Sequence, residues 1–164
     1  MSRLRLRREP PDLAVAEGER LLAWATDTEG DAVGGTRDAL YLRGHRLPWE
    51  EVEAADWDRD TSVLTVSEVG VWGEVRRRHQ VTIDQQGSLL ELVRERVSAS
   101  IVLQRHVAVQ GRRGVRVIAR RAPHSTGEIA WFLEYDQGVE PDDPAVRVAA
   151  GEALHAARGE VGAL

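Results

Sequence analysis

The chain has 164 residues, of which 42% are hydrophobic and 30% charged, and a formal net charge of -5. This composition is typical of a folded globular domain and not of a disordered or fibrous chain. It contains no cysteine and all 22 of its basic residues are arginine, which excludes disulfides, thiolate nucleophiles, sulfur-ligated zinc and lysine-based Schiff-base chemistry. A reducing cytoplasm is the expected location.

Residues 1–17 are predicted to form an N-terminal arm. Arg3, Arg5 and Arg7 alternate with leucines, and the apolar run that follows is interrupted by charges. The sequence therefore predicts neither a secretion signal nor a membrane span, and the alternation favours a short edge strand or a frayed end.

Short strands separated by polar turns are predicted for the first third of the chain. They cover residues 20–26, 32–36 and 39–42, and a Gly34-Gly35 pair in the second strand indicates a bulge or a close approach of two backbones. The turn between the first two strands is acidic, with Asp27, Glu29 and Asp31. Close spacing of strands and turns predicts a curled antiparallel sheet.

Residues 46–66 give the strongest strand signal. Alternation from Val52 to Trp57, a polar turn at 58–61 and a β-branched run from Val63 predict an antiparallel hairpin. Pro48 cannot donate to a sheet ladder, so we place it at the strand entrance.

An amphipathic helix is predicted at about 88–103. Ser88 and Glu91 have capping-box spacing, and the apolar residues fall on one side of the helix: Leu89, Leu90, Val93, Val97 and Ile101. The hairpin LPWEEVEAADWD with its DRDTSVLTV return, followed by this helix, resembles bacterial pleckstrin-homology-like (PH-like) domains. The chain is also similar to small actinobacterial proteins. The resemblance implies a curled antiparallel barrel over residues 18–105, closed by the helix.

Phosphoinositide binding is the best-known activity implied by that resemblance, and it needs basic residues in the loop between the first two strands. This sequence has acids there, which would repel an anionic head group. Phosphoinositide and membrane binding are therefore not predicted.

Residues 106–164 are predicted to form a β-β-β-α extension. Three strand-like segments precede Asp142-Asp143-Pro144, a typical helix start. A stripe of small residues then follows at helical spacing: Val146, Ala149, Ala150, Ala153 and Ala157. The overall fold class is therefore α+β.

Two surfaces are candidates for partner binding. The first is the Gly-bounded tip at 69–73 with the arginines after it, where we name Val71, Trp72, Arg76, Arg77 and Arg78, because an aromatic residue beside arginines is typical of interaction hot spots. Trp72 could instead fold back on the sheet.

The second candidate surface is the Arg-rich hairpin at 111–121, with Arg112, Arg113 and Arg116 as nucleic-acid contacts. Pairing with the acids of 128–136 would neutralise that hairpin.

No catalytic, cofactor or metal motif is recognisable. Asp56, Asp58 and Asp60 open like a calcium loop, but the positions that need glycine and glutamate hold Thr61 and Ser67, so a solvated turn is predicted. The five histidines are far apart. The sequence favours a non-enzymatic protein-interaction or structural module, through a protein partner or self-association, over a nucleic-acid-binding protein or an enzyme.

Overall fold

The computed structural model describes residues 9–71 and 74–163. In this part of the chain the protein is α+β, with antiparallel strands in three sheets and two α-helices. Residues 9–17 contain no helix or strand, and the backbone N–H of Ala16 donates to the Tyr41 hydroxyl at 2.9 Å. Arg3, Arg5 and Arg7, for which the sequence favours a short edge strand or a frayed end, lie outside the described residues.

The first sheet contains β1 (Ala23–Thr26), β2 (Ala32–Gly35), β3 (Ala39–Leu42) and β4 (His45–Pro48) in chain order. The predicted third strand is confirmed, whereas the first begins at Ala23 and not at residue 20. The glycine pair in β2 permits a close approach: a methyl group added at Gly35 would lie 2.6 Å from Leu92 Cδ2 and 3.1 Å from the Trp49 ring.

The second sheet confirms the predicted central hairpin. It contains β5 (Val52–Asp58), β6 (Val63–Glu68) and β7 (Arg78–Thr82) in chain order. Pro48 ends β4, and a 3-10 turn at Trp49–Glu51 leads into β5. Because Pro48 has no N–H and this turn redirects the chain, the ladder of the first sheet does not continue into the second.

Helix α1 (Leu89–Ser100) begins where the sequence predicts it, but two details of the prediction are wrong. Ser88 is the N-cap residue with φ -89° and ψ 2°, and its side chain makes no capping hydrogen bond. The helix ends at Ser100, not near 103, and Ile101 already belongs to β8 (Ile101–Gln110). Three consecutive apolar residues, Ile101 to Leu103, with no glycine stop favour direct passage from helix to strand.

One hydrophobic core fills the space between α1 and the first two sheets. Trp49, Leu89 and Val93 pack there with the inward residues of β1 to β7, and the Trp49 side chain is fully buried. The indole N–H of Trp49 donates to the backbone carbonyl of Thr36 at 3.0 Å, so the ring is buried with its polar atom satisfied.

The third sheet and the last helix form the predicted β-β-β-α segment. Strand β9 (Arg113–Arg120) lies between β8 and β10 (Ala130–Tyr135), and α2 (Pro144–Gly162) packs on one face of the sheet. The Asp143 side chain caps α2 by accepting from the N–H groups of Ala145 and Val146. The small-residue stripe is buried at Val146, Ala150, Ala153 and Ala157. The boundary predicted between residues 105 and 106 lies inside β8.

The sheets are not joined into a closed barrel, so that part of the predicted architecture is not found in the described residues. Strands β1 to β4, β5 to β7 and β8 to β10 form separate ladders. Neither α-helix in the described part of the chain combines the length and apolar character needed to cross a membrane.

Candidate binding cleft

A cleft of about 490 Å³ lies between the segment that joins β6 to β7 and the third sheet. Its walls are formed by Val69, Gly70, Val71, Glu74 and Arg76 on the connecting segment, by Glu53 of β5, and by Ile118, Arg120 and residues 131–135 of the third sheet. Residues of the second and third sheets that are far apart in sequence thus meet at one place.

The alternation of side chains along β9 decides which of them face the cleft. Val115, Val117 and Ala119 pack with α2, so Arg116, Ile118 and Arg120 lie on the opposite face. On β10 the partners of Ile118 and Arg116 are Phe132 and Glu134. The face of the third sheet that lies away from α2 therefore presents two arginines, a carboxylate and two large apolar side chains.

Arg120 is buried at the inner end of this face and is only 3% exposed. Its guanidinium donates to the backbone carbonyls of Val52 at 3.0 Å and Glu53 at 3.3 Å. Burial lowers the pKa of Arg120, and the carboxylates of Glu134 and Glu53 act in the opposite direction. Since arginine stays protonated in proteins, this side chain places a buried positive charge at the junction of β9 and β5.

Two carboxyl groups share the cleft with that charge. The pKa of Glu53 is raised to about 7, mainly by burial and also by a hydrogen bond with the Glu134 carboxyl group, while Arg76 and Arg120 act in the opposite direction. Glu53 also forms an ion pair with Arg76, and Glu134 lies 3.6 Å from Arg116. The pair can therefore hold a proton near neutral pH and exchange it with a bound group.

The structure divides the residues predicted for the first partner surface. Val71 and Arg76 line the cleft, and Val71 is 68% exposed. Arg77 and Arg78 are exposed and do not line it. Trp72 lies outside the described residues. Val75, which the sequence analysis did not single out, is 96% exposed on the same segment.

The Arg-rich hairpin is likewise divided. Gly111 and Arg112 form its two-residue turn, and Arg112 and Arg113 are exposed without an ion pair to any described residue. Arg116 is half-buried and faces Glu134 across the strand pair, which is the cross-strand pairing expected from the sequence. His106 binds Asp136 at 2.7 Å.

The aspartates of the β5–β6 turn have the local role predicted for them. Asp58 Oδ1 accepts from the backbone N–H groups of Asp60 at 2.9 Å and Thr61 at 3.2 Å. These hydrogen bonds, that of Thr61 first, lower the pKa of Asp58. The aspartate therefore shapes the turn, as aspartates commonly do.

Sequence reasoning missed Glu53, Arg120 and Glu134 as site residues. Each is a charged residue on the polar side of an alternating strand, and such a side usually faces water. The sequence signal that could have found them is a large apolar residue on the same face of each strand of the third sheet. Ile118 stands between Arg116 and Arg120, and Phe132 stands two residues before Glu134. A large apolar residue within a polar alternation indicates that the second face of the strand is also covered.

No protein-family model, curated protein or solved structure matches this chain.

Proposed function

We propose that the protein is a non-enzymatic interaction module whose cleft binds a segment of a protein partner. The observation that carries this proposal is the placement of Val71 and Val75, which are 68% and 96% exposed, on the segment that forms one wall of the cleft. Large apolar side chains clustered beside a concave surface are typical of interaction sites.

The energetics of the cleft support an apolar contact with polar edges. Burying one exposed valine side chain contributes about 1.5 kcal/mol. Ile118 and Phe132 line the cleft together with Val71, and Val75 lies beside it on the connecting segment. A partner segment that inserts an apolar side chain between these walls would bury both surfaces, while the carboxyl and guanidinium groups give directional hydrogen bonds.

The charge of the cleft favours a protein over a polyanion. In each of the ion pairs Glu53–Arg76 and Glu134–Arg116 the carboxylate offsets the charge of the arginine. Glu74 adds a further acid to the wall of the cleft. Nucleic-acid sites need unbalanced cations facing the phosphates. A neutral, partly apolar segment of a partner protein is the better match.

A PH-like origin for residues 18–105 belongs to the same proposal. Two antiparallel sheets enclosing a core with one helix support that relationship. The acidic β1–β2 turn argues against head-group binding in the usual mode of such domains, so we propose protein binding and not phosphoinositide binding. The cytoplasmic location stays a prediction from the sequence.

Nucleic-acid binding by the Arg-rich hairpin is the alternative, and one observation favours it: Arg112 and Arg113 are exposed and have no ion pair with the described residues. Because Arg116 faces Glu134, this alternative depends on two adjacent arginines. Two cations give weak binding that is lost at physiological salt, and fluorescence anisotropy with a labelled oligonucleotide at two salt concentrations measures it.

The protein-binding proposal is tested by selecting a random-peptide display library against the purified protein. We expect enriched peptides that share an apolar pattern. Combined Val71→Ser and Val75→Ser substitutions should weaken their binding by about tenfold or more, since tenfold corresponds to about 1.4 kcal/mol. Light scattering after size-exclusion chromatography shows in parallel whether the chain self-associates.

Val148→Ser is the matched control, because Val148 is 62% exposed on α2 and does not line the cleft. The control should bind the selected peptides as the wild type does. Equal binding by the double variant and the wild type, with unchanged thermal stability in both, would contradict the proposal.

A further inference from the structure

The turn between β1 and β2 gathers three carboxylates that play no part in the cleft. One carboxylate oxygen from each of Asp27, Glu29 and Asp31 lies within 4.8 Å of the other two. This is the only such group of possible metal ligands among residues 9–71 and 74–163. The three acids stand at every second residue, and Gly30 lies between the last two. This spacing brings their side chains to the same side of the turn.

Asp27 distinguishes this group from an ordinary acidic surface turn. It is only 7% exposed, and its Oδ1 atom accepts from the N–H groups of Glu29 at 2.9 Å and Asp31 at 2.8 Å. Its carboxylate is therefore directed into the turn. The Oδ2 atom is buried and accepts no hydrogen bond in the described part of the chain, although a buried carboxylate oxygen normally has a partner.

In the part of the chain that the structure describes, one arginine forms an ion pair with this group. The Arg43 guanidinium lies 3.7 Å from Glu29, and both side chains are largely exposed. An exposed ion pair at this distance contributes little, and neither Asp27 nor Asp31 has an ion pair with any residue of 9–71 or 74–163. Close carboxylates that lack a counterion repel one another, and a bound cation removes that cost.

The position of the turn is also fixed from both sides. The Asp27 N–H donates to the Asp31 carbonyl at 2.9 Å, and the Thr28 N–H donates to the Thr82 carbonyl of β7 at 3.0 Å. The backbone of the turn is thus held in place by the first two sheets, which reduces the ordering that a ligand must impose.

We propose that the turn formed by Asp27, Glu29 and Asp31 is a binding site for a calcium ion. An all-oxygen ligand set selects a hard cation. Calcium binds oxygen at about 2.4 Å, so two ligands of one ion lie up to about 4.8 Å apart. The three carboxylate oxygens here lie within that distance of one another. Magnesium needs shorter distances of about 2.1 Å and near-ideal octahedral geometry. With three carboxylates on an exposed turn, the affinity belongs to the weak class, with a Kd on the order of 10⁻⁴ M.

The test uses the full chain after treatment with a chelator and gel filtration. Thermal unfolding and calorimetric titration with CaCl2, up to about 5 mM because the expected affinity is weak, should show a rise in Tm and a saturable one-site isotherm. The double variant Glu29→Gln, Asp31→Asn should lose both responses. Both residues are exposed and the substitutions remove the repulsion between carboxylates, so the variant without metal should have a Tm equal to or above that of the metal-free wild type.

The matched control is Asp58→Asn with Asp60→Asn, which removes two exposed acids from the β5–β6 turn. Retention of the calcium response in this control supports the proposal. Absence of a saturable response in the wild type, an equal response in the Glu29 and Asp31 variant, or a larger response to MgCl2 than to CaCl2 would each overturn it.

Discussion

Glu53 and Glu134 belong to different sheets and hydrogen-bond through their carboxyl groups in the cleft. A hydrogen bond between two carboxyl groups requires that one of them carry a proton. Burial is the main reason why the pKa of Glu53 is raised to about 7. The protonation of one side chain therefore sets the charge of the proposed binding surface in the physiological pH range.

A specific pH dependence of stability follows from this pair. The folded protein holds the Glu53 proton more tightly than the unfolded chain, in which the pKa is near 4.5. The contribution of the pair to the free energy of unfolding should therefore be complete below about pH 4.5, fall between about 4.5 and 7, and stay level above that.

Glu53→Gln isolates this effect, because glutamine donates a hydrogen bond but does not titrate. Urea unfolding of both proteins across this pH range should give a difference, wild type minus variant, that decreases with rising pH. Lowered pKa values elsewhere, as at Glu19 and Asp136, act in the opposite direction in both proteins and cancel in the difference. A difference that does not vary with pH would show that folding leaves the pKa of Glu53 unchanged.

Arg120 is expected to contribute to stability more than the exposed arginines do. Arg120→Met should lower the free energy of unfolding by about 2 to 3 kcal/mol, because the Val52 and Glu53 carbonyls lose their donors and the buried carboxyl pair loses a neighbouring cation. Arg112→Met, at the exposed turn, should change it by less than about 0.5 kcal/mol. Denaturant titration of both variants measures the contrast, and equal losses would mean that Arg120 is not buried as described.

Much of the fold could be predicted because it depends on local periodicity. The β5–β6 hairpin and α2 have clear patterns and strong boundary residues, so both were predicted within a few positions. The separation into three sheets could not be predicted from the sequence, because it depends on which strand edges meet after the chain folds. Glu53 and Arg120 were missed for the same reason: the polar face of each strand is covered by a different sheet, and no local window contains both.

Gly114 lies where β9 closely approaches the backbone of β8. A methyl group added there would lie 1.8 Å from the carbonyl oxygen of Val107, and a backbone atom cannot move aside as the end of a side chain can. Gly114→Ala should therefore destabilise the protein by about 3 kcal/mol or more, or prevent folding. Gly151→Ala is the control, since Gly151 lies in α2 with open space around it, and alanine there should stabilise by about 0.5 to 1 kcal/mol. Thermal unfolding distinguishes the two, and similar Tm values would contradict the close approach.

The two α-helices begin with different capping arrangements, which gives a further pair of matched variants. Asp143 caps α2 through hydrogen bonds to the N–H groups of Ala145 at 2.8 Å and Val146 at 3.4 Å, so Asp143→Ala should cost about 1 kcal/mol. Ser88 has the sequence spacing of a capping box, but its backbone angles are not extended and its side chain makes no cap. Ser88→Ala should therefore change the free energy of unfolding by less than about 0.5 kcal/mol. Urea titration of the two variants measures this directly. A loss of about 1 kcal/mol at Ser88 would show that the hydroxyl caps α1 in solution, as the sequence alone suggests.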